Sequence, residues 1–290
     1  SLKKIQKINF DIIIISPGID ISNCKLSKFL KNNMFKIYTD LDVLFSFYKN
    51  KSITITGTNG KSTTAKILHD ALTDQKIDSR LIGNIGNPVL AEKNITKKTI
   101  FVIEASSYQL DYSRIFRSKY AVILNITPDH IERHKSLNNY VDAKFKLLKS
   151  QNRGSFAYIK KDDELIRRKI KKNKYKAKIY EVKTSNLNKK FDKIYNKYFI
   201  SDGNKENLSF IFEIASKLKL NKKKLIRSIN RFKGLDYRQQ IIFDKKNLTI
   251  INDSKSTSFA SSESVLKNLN GAYWILGGIP KKGDKFKLSK

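Results

Sequence analysis

Residues 56–63 read Thr-Gly-Thr-Asn-Gly-Lys-Ser-Thr and follow the β-branched run Ser52-Ile53-Thr54-Ile55. That order predicts a strand feeding a glycine-rich phosphate loop. Gly57 and Gly60 let backbone N–H groups come close to a polyphosphate. Lys61 supplies a point charge for the β- and γ-phosphates, and Ser62 or Thr63 can offer a hydroxyl to Mg²⁺. Helix-forming residues continue through Leu68, which would set a positive helix end at the phosphates. The loop departs from the G-x-x-x-x-G-K-[ST] spacing, because Ile55 stands six residues before Lys61. Strand before and helix after nevertheless point to nucleoside triphosphate binding.

The second segment, Thr99–Glu104, is an apolar strand ending in a carboxylate and followed by Ala105-Ser106-Ser107-Tyr108-Gln109-Leu110. At a strand's C-terminal end, Glu104 stands where α/β folds bind ligands and can coordinate Mg²⁺ directly or through water. The strand Tyr120–Asn125 runs into Ile126-Thr127-Pro128-Asp129-His130-Ile131-Glu132-Arg133-His134. Two of the chain's three histidines and two acids share this loop. No cysteine or third histidine stands at zinc spacing, which favours magnesium.

The helix over 138–150 places Lys144 inside the apolar arc of Tyr140, Val141, Phe145, Leu147 and Leu148, while Lys146 and Lys149 point away. An inward ammonium is costly unless it snorkels, pairs with an acid or is modified. A carbamate formed with CO₂ would turn it into an anionic Mg²⁺ ligand. Farther on, Asn252-Asp253-Ser254-Lys255-Ser256-Thr257 follows a strand, with a simple N-cap as the alternative reading. Gly277-Gly278 ends another strand, followed by Lys281, Lys282 and Asp284.

The elements that must position these groups alternate as short apolar strands and helices, the pattern of a mainly parallel α/β sheet. Strands are expected at Asp11–Ser16, Ser52–Thr56, Thr99–Glu104, Tyr120–Asn125, Ser155–Ile159, Ala177–Val182, Gln239–Phe243, Leu248–Ile251 and Ala272–Leu276. Helices are expected at 62–73, 138–150, 162–172, 204–218, 221–232 and 258–269. The lysine-rich stretch 160–200 reads as surface strands and helices with little chemistry. Boundaries near residue 46 and near Gly234 divide the chain into segments 1–46, 47–233 and 234–290.

The length of 290 residues allows two or three domains. One cysteine, Cys24, excludes a disulfide framework and suits a reducing cytosol. No apolar run reaches the length of a membrane span, and no signal peptide is visible. The net charge of +33 comes from lysines spread along the whole chain, with arginine scarce beside them. It reads as a compositional bias, not a nucleic-acid interface, although a positive field attracts anionic nucleotides. The chain starts at Ser1 without methionine and stops at Lys290 soon after an expected strand, so a fragment cut at both ends is expected.

Together, Thr56–Thr63, Glu104-Ala105-Ser106-Ser107 and Asn125 through His130 resemble the shared core of the Mur ligases, ATP-dependent amide-forming enzymes of peptidoglycan synthesis. The shortened glycine spacing is that family's own form of the loop. Within the family, the chain is most similar to the members that add D-glutamate. Ser106-Ser107-Tyr108-Gln109-Leu110, Asn252-Asp253-Ser254-Lys255-Ser256-Thr257, Leu276-Gly277-Gly278 with Lys281 and Asp284, and the Ser16-Pro17-Gly18-Ile19 turn carry that likeness. A folylpolyglutamate synthetase-like ligase shares the ATPase core but lacks the Ser-Ser-Tyr-Gln-Leu and Asn-Asp-Ser-Lys segments. A nucleotide switch without ligase activity would need no inward Lys144.

The resemblance implies a three-domain α/β architecture. Its central, mostly parallel ATPase sheet would be complete, and its Rossmann-like N- and C-terminal domains partial. It implies UDP-N-acetylmuramoyl-L-alanine, D-glutamate and ATP as substrates, two Mg²⁺ ions, and a cytoplasmic monomer with no nucleic-acid or membrane partner. Gly57, Thr58, Asn59, Gly60, Lys61, Ser62 and Thr63 would hold ATP phosphates, and Ser62 with Glu104 one Mg²⁺. His130 would serve the second Mg²⁺, with Lys144 as a carbamate. Asn204 and Asn207 would approach ATP, and Arg238 and Asp253 its ribose and phosphates. Ser16, Asn84 and Ser106 would touch the nucleotide-sugar substrate, and Lys255, Thr257 and Lys281 the incoming amino acid. The family often carries His-Arg after Gly-Leu; here Tyr237-Arg238 stands near that place, so only the arginine carries over.

Overall fold

The computed structural model describes residues 2–5, 7–185, 191–256, 259–267, 269 and 271–279. Contacts divide the chain into two units: residues 1–58 with 78–181, and residues 59–77 with 182–290. Thr257 and Lys281 lie outside the described residues.

In the first unit, α1 (Leu2–Ile5), β1 (Ile13–Ile14), α2 (Ser27–Asn32), β2 (Ile37–Tyr38) and α3 (Asp40–Phe47) precede β3 (Ser52–Thr56). After β3 the chain passes through the second unit as α4 (Lys61–Thr73) and returns at β4 (Ser79–Gly83). Then come β5 (Ile100–Glu104), α5 (Ser107–Tyr112), β6 (Tyr120–Ile123), α6 (Ile131–His134), α7 (Leu137–Lys149), β7 (Phe156–Lys160), α8 (Glu164–Lys172) and β8 (Lys178–Val182). The six long strands form one sheet in the order β4-β5-β3-β6-β7-β8, and β1 pairs with β2 in a small parallel sheet. The pairings β3–β5, β3–β6, β4–β5 and β6–β7 are all parallel.

All five residues of β3 are buried, as expected for a central parallel strand covered on both faces. Ile55 pairs with Glu104 on one side and Val122 on the other. The C-terminal ends of β5, β3 and β6 therefore share one edge, the edge that supplies ligand sites in parallel α/β sheets. Ile103, Ala121, Ile123, Tyr140, Phe145, Leu147 and Leu148 belong to one buried cluster that fixes the sheet and α7.

One carboxylate ties the N-terminal segment to this sheet. Asp42, 1% exposed, accepts from Thr39 N and Thr39 Oγ1 at the start of α3. It also accepts from Ser113 Oγ and from the backbone N–H groups of Arg114, Ile115 and Phe116, at 2.8–3.1 Å. Asp42→Ala is expected to lower stability by about 3 kcal/mol or more, since unpaired buried donors each cost about 1–3 kcal/mol. Urea unfolding checks this; a wild-type midpoint would refute the structural role.

In the second unit, α9 (Asp202–Lys217) and α10 (Lys222–Arg231) pack on α4. Asp74 just beyond α4 accepts from Ser228 Oγ (2.5 Å) and Arg231 (2.6 Å). The antiparallel hairpin β9 (Gln240–Lys245) and β10 (Leu248–Asn252) precedes α11 (Phe259–Leu266). No described helix is long and apolar enough to cross a membrane.

Most expected elements are present within one or two residues, and two differences are informative. The sequence pattern passes over β4, an edge strand whose alternation Arg80 and Gly83 interrupt. Conversely, Ala272–Leu276 forms no strand, and Tyr273 and Ile275 are almost fully exposed. A strand needs a neighbouring ladder, and none of the described strands pairs with this segment.

Candidate active site

The first unit carries Thr58, Glu104, His130 and Lys144. The chain leaves β3 at Thr56, and Thr58 N–H donates to Asn125 O (2.9 Å) just past β6, tying the loop's first half to the neighbouring strand end. Thr58 Oγ1 contacts the Tyr140 hydroxyl (3.0 Å) and Thr127 O (3.1 Å), and accepts from Thr127 N–H (3.0 Å).

Lys144 is 2% exposed on the core-facing side of α7, as the helical period predicts. Its Nζ donates to Gly57 O (2.8 Å) and lies 4.5 Å from the centre of the Tyr140 ring. Lys146, by contrast, points outward to Asp111. Tyr140 thus serves two neighbours at once, its ring beneath the ammonium and its hydroxyl against the phosphate loop. Burial pushes its phenol far above the usual range, so it remains a neutral donor. Residue-type reasoning passed over this role. The available signal was its place four residues before Lys144, on the same helix face.

Glu104 ends β5 and is 1% exposed. Oε1 accepts from Asn84 Nδ2 (3.0 Å), while Oε2 is buried without a hydrogen-bond partner. An unsatisfied buried carboxylate oxygen is rare in folded proteins and fits a hard cation. Among the described residues, no three His, Cys, Asp or Glu side chains are grouped to hold a metal. A Mg²⁺ at Glu104 therefore needs hydroxyl, phosphate, water or modified-lysine oxygens to complete its shell.

His130 stands in the left-handed region (φ +52°) as the residue before α6. Asp129 lies 3.4 Å from its Nε2, and Tyr108 packs 5.1 Å from its ring centre. His134 is buried, with Nε2 3.0 Å from Ser107 Oγ. Burial pushes its imidazole below the usual range, favouring the neutral ring. Ser106 caps α5 by accepting from Gln109 N–H (3.2 Å). Gln109 also reaches Asp40, whose carboxyl burial raises above its usual range. Ser16 is exposed, and its carbonyl closes a turn with Ile19 N–H (3.0 Å).

The second unit carries Asn59, Gly60, Lys61, Ser62 and Thr63. Gly60 (φ +83°) precedes α4, and a Cβ there would lie 2.2 Å from Asn207 Oδ1, so only glycine fits. Lys61 is the first residue of α4, and Ser62 and Thr63 are buried in its first turn. Thr63 Oγ1 contacts the Tyr198 hydroxyl (3.0 Å). Asn207 abuts the loop, whereas Asn204 directs Nδ2 to Tyr198 O (2.8 Å) and Gln239 Oε1 (2.7 Å). Burial pushes the Asp253 carboxyl up, against hydrogen bonds from Ser256 and Gln239 N–H and the charge of Arg238. Arg238 and Lys255 are exposed.

The chain matches the model of the Mur ligase middle domain over residues 55–223. It is 35% identical to the UDP-N-acetylmuramoylalanine–D-glutamate ligase of Rickettsia felis, covering 95% of this chain and 65% of that protein. The ligase of the same name from Francisella tularensis subsp. novicida is 31% identical, covering 95% and 66%. This chain thus spans about two thirds of the length of these curated relatives. Among solved structures, the MurF ligase of Thermotoga maritima in complex with ADP superposes with a TM-score of 0.62 at 14% identity. That match covers 89% of this chain and 71% of that one. The UDP-N-acetylmuramate-alanine ligase MurC of the same organism gives 0.58 at 17% identity, covering 89% and 63%. These superpositions establish a shared fold. With the family model covering more than half its length, the chain belongs to the Mur ligase family.

Proposed function

We propose that the full-length protein joins D-glutamate to UDP-N-acetylmuramoyl-L-alanine, using ATP and releasing ADP and phosphate. The observation that carries the reading is the buried pair of charged groups beside the phosphate loop: Glu104 with an unsatisfied oxygen, and Lys144 held at Gly57. The names of the relatives supply the substrates. The layout is three domains, at 1–46, 47–233 and 234–290, in a cytoplasmic monomer.

The γ-phosphoryl passes to the substrate's alanyl carboxylate, giving an acyl phosphate. The amine of D-glutamate then attacks, and the tetrahedral intermediate expels phosphate. Lys61 and the loop amides of residues 59–63 neutralise charge on the phosphates as it shifts, while Gly57 and Thr58 shape the loop against them. Ser62, Glu104, His130 and Lys144 as a carbamate are the groups that would hold two Mg²⁺, which supply charge neutralisation when bound. Asn204, Asn207, Arg238 and Asp253 orient the nucleotide. Ser16, Asn84 and Ser106 take the nucleotide sugar, and Lys255, Thr257 and Lys281 the amino acid. Most of the rate would come from positioning, since ATP provides the thermodynamic drive.

Phosphate release from ATP tests this in the full-length protein. UDP-N-acetylmuramoyl-L-alanine is supplied with D-glutamate, L-glutamate, L-lysine or L-alanine in turn. Release that requires both the nucleotide sugar and D-glutamate is expected. Dependence on another amino acid would change the assignment within the family. No release from folded, ATP-binding protein would sink the ligase reading.

A further inference from the structure

Tyr198 lies in the lysine-rich stretch that reads as poor in chemistry, yet it is buried and reaches the phosphate loop's helix. Its hydroxyl stands 3.0 Å from Thr63 Oγ1, in the first turn of α4. Its surroundings fix that position. Tyr198 N–H donates to Asn196 Oδ1 (2.9 Å), and Asn196 Nδ2 donates in turn to Ile229 O and Phe232 O at the end of α10 (2.9 and 2.7 Å). Tyr198 O accepts from Asn204 Nδ2 (2.8 Å), which also donates to Gln239 Oε1 (2.7 Å). Both hydrogens of the Asn204 amide are thus spent on holding Tyr198 and Gln239. The Tyr198 ring stands edge-on to Phe199 and Phe232, with centres 5.3 and 5.0 Å away. Gly234 (φ +86°) lets the chain pass close behind it, where a Cβ would lie 3.2 Å from two ring carbons.

Proton counting gives this pair of hydroxyls a direction. They carry two protons, and their contact uses one. Burial pushes the Tyr198 phenol above its usual range, so it keeps its proton at neutral pH. A phenol is also a stronger acid than an alcohol, and hence the better donor of the two. When Tyr198 donates, Thr63 keeps its own proton for a phosphate oxygen. When Thr63 donates instead, it presents only lone pairs to an anion. With no partner at all, a helical threonine hydroxyl can fold back onto a carbonyl of the preceding turn.

We infer that Tyr198 is a positioning residue for the nucleotide: its hydroxyl donates to Thr63 Oγ1 and so turns the Thr63 proton toward a phosphate oxygen of ATP. The inference rests on ATP binding at this loop, as in the ligase reading, but not on the identity of the other substrates. Tyr198 acts only through Thr63. Its contribution to binding should therefore vanish when Thr63 has no hydroxyl.

The test titrates Mg²⁺-ATP, without the other substrates, into the full-length protein and into Tyr198→Phe, Thr63→Val and the double variant. Each substitution removes a hydroxyl and keeps the shape of the side chain, and circular dichroism checks the fold. Thr63→Val should weaken ATP binding about ten- to a hundredfold, the effect of one hydrogen bond to a charged group. Tyr198→Phe should weaken it about three- to tenfold, because the Thr63 hydroxyl remains but is no longer held in one direction. The double variant should match Thr63→Val within about twofold. In turnover, Tyr198→Phe should raise the KM for ATP while the KM for the nucleotide sugar holds, which separates positioning from general damage.

Wild-type ATP affinity in folded Tyr198→Phe would overturn the inference, as would losses that multiply in the double variant. Wild-type affinity in Thr63→Val would overturn it too, whether or not Tyr198→Phe folds. If the four affinities come out as expected but the wild type releases no phosphate with D-glutamate, the ligase reading fails and the inference stands. If the wild type turns over while Tyr198→Phe binds ATP equally well, the inference fails and the reading stands. A wild type that binds no ATP overturns both.

Discussion

Lys61→Ala is expected to abolish ATP-dependent turnover, a loss of about a thousandfold or more, while leaving the fold intact. The side chain is only half-buried at the first position of α4, so its removal should shift stability by less than about 0.5–1 kcal/mol. Its proposed work is electrostatic. Negative charge redistributes over the phosphoryl oxygens during transfer, and a fixed ammonium at a helix N-terminus stabilises that arrangement without having to reorganise. Steady-state phosphate release, read beside a thermal melt, separates the two effects. Normal turnover by Lys61→Ala would remove the phosphate loop from the mechanism.

Lys144→Ala is expected to lose about 10²–10⁴ in turnover and to regain part of it with acetate or propionate. Two costs are mixed in this variant. Removing a long side chain from the α7 core leaves a void beside Tyr140, a destabilisation of about 1–3 kcal/mol. The larger effect should be chemical, because a short carboxylic acid can enter that void and stand in for a carbamate. A readout independent of activity is available. Wild type equilibrated with ¹³C-labelled CO₂ should show a carbamate carbon resonance that Lys144→Ala lacks. Full activity without added acid would show the carbamate idea to be wrong. A folded variant that no acid rescues would point instead to the tether from Lys144 to Gly57 O.

The sequence made the phosphate loop and its flanking elements legible because they depend on local rules. Ser52–Thr56 is β-branched and apolar, and Gly60 must adopt a conformation other residues avoid. The inward direction of Lys144 was legible because 3.6-residue periodicity alone assigns helix faces. Glu104 could be placed at a strand end, but its unsatisfied oxygen could not, since satisfaction depends on Asn84 arriving from another strand. Asp40 and Asp42 lay beyond reach for the same reason. Their partners stand about 70 residues away, and in Asp42's case most are backbone N–H groups that carry no sequence signature. The short edge strand β4 has one neighbour and a broken alternation, so local pattern undersells it. Ala272–Leu276 is the converse, a strand-like composition for which the described chain supplies no ladder.

The Asp42 contacts bear on where this protein can be cut. A break at residue 46 or 47, just ahead of the phosphate-loop strand, would separate the carboxylate from Arg114, Ile115 and Phe116 and strand three backbone donors. It would also remove Asp40 from Gln109. An excised piece that keeps the Asp40 and Asp42 hydrogen bonds therefore begins at or before Thr39, and α3 travels with the sheet it follows into.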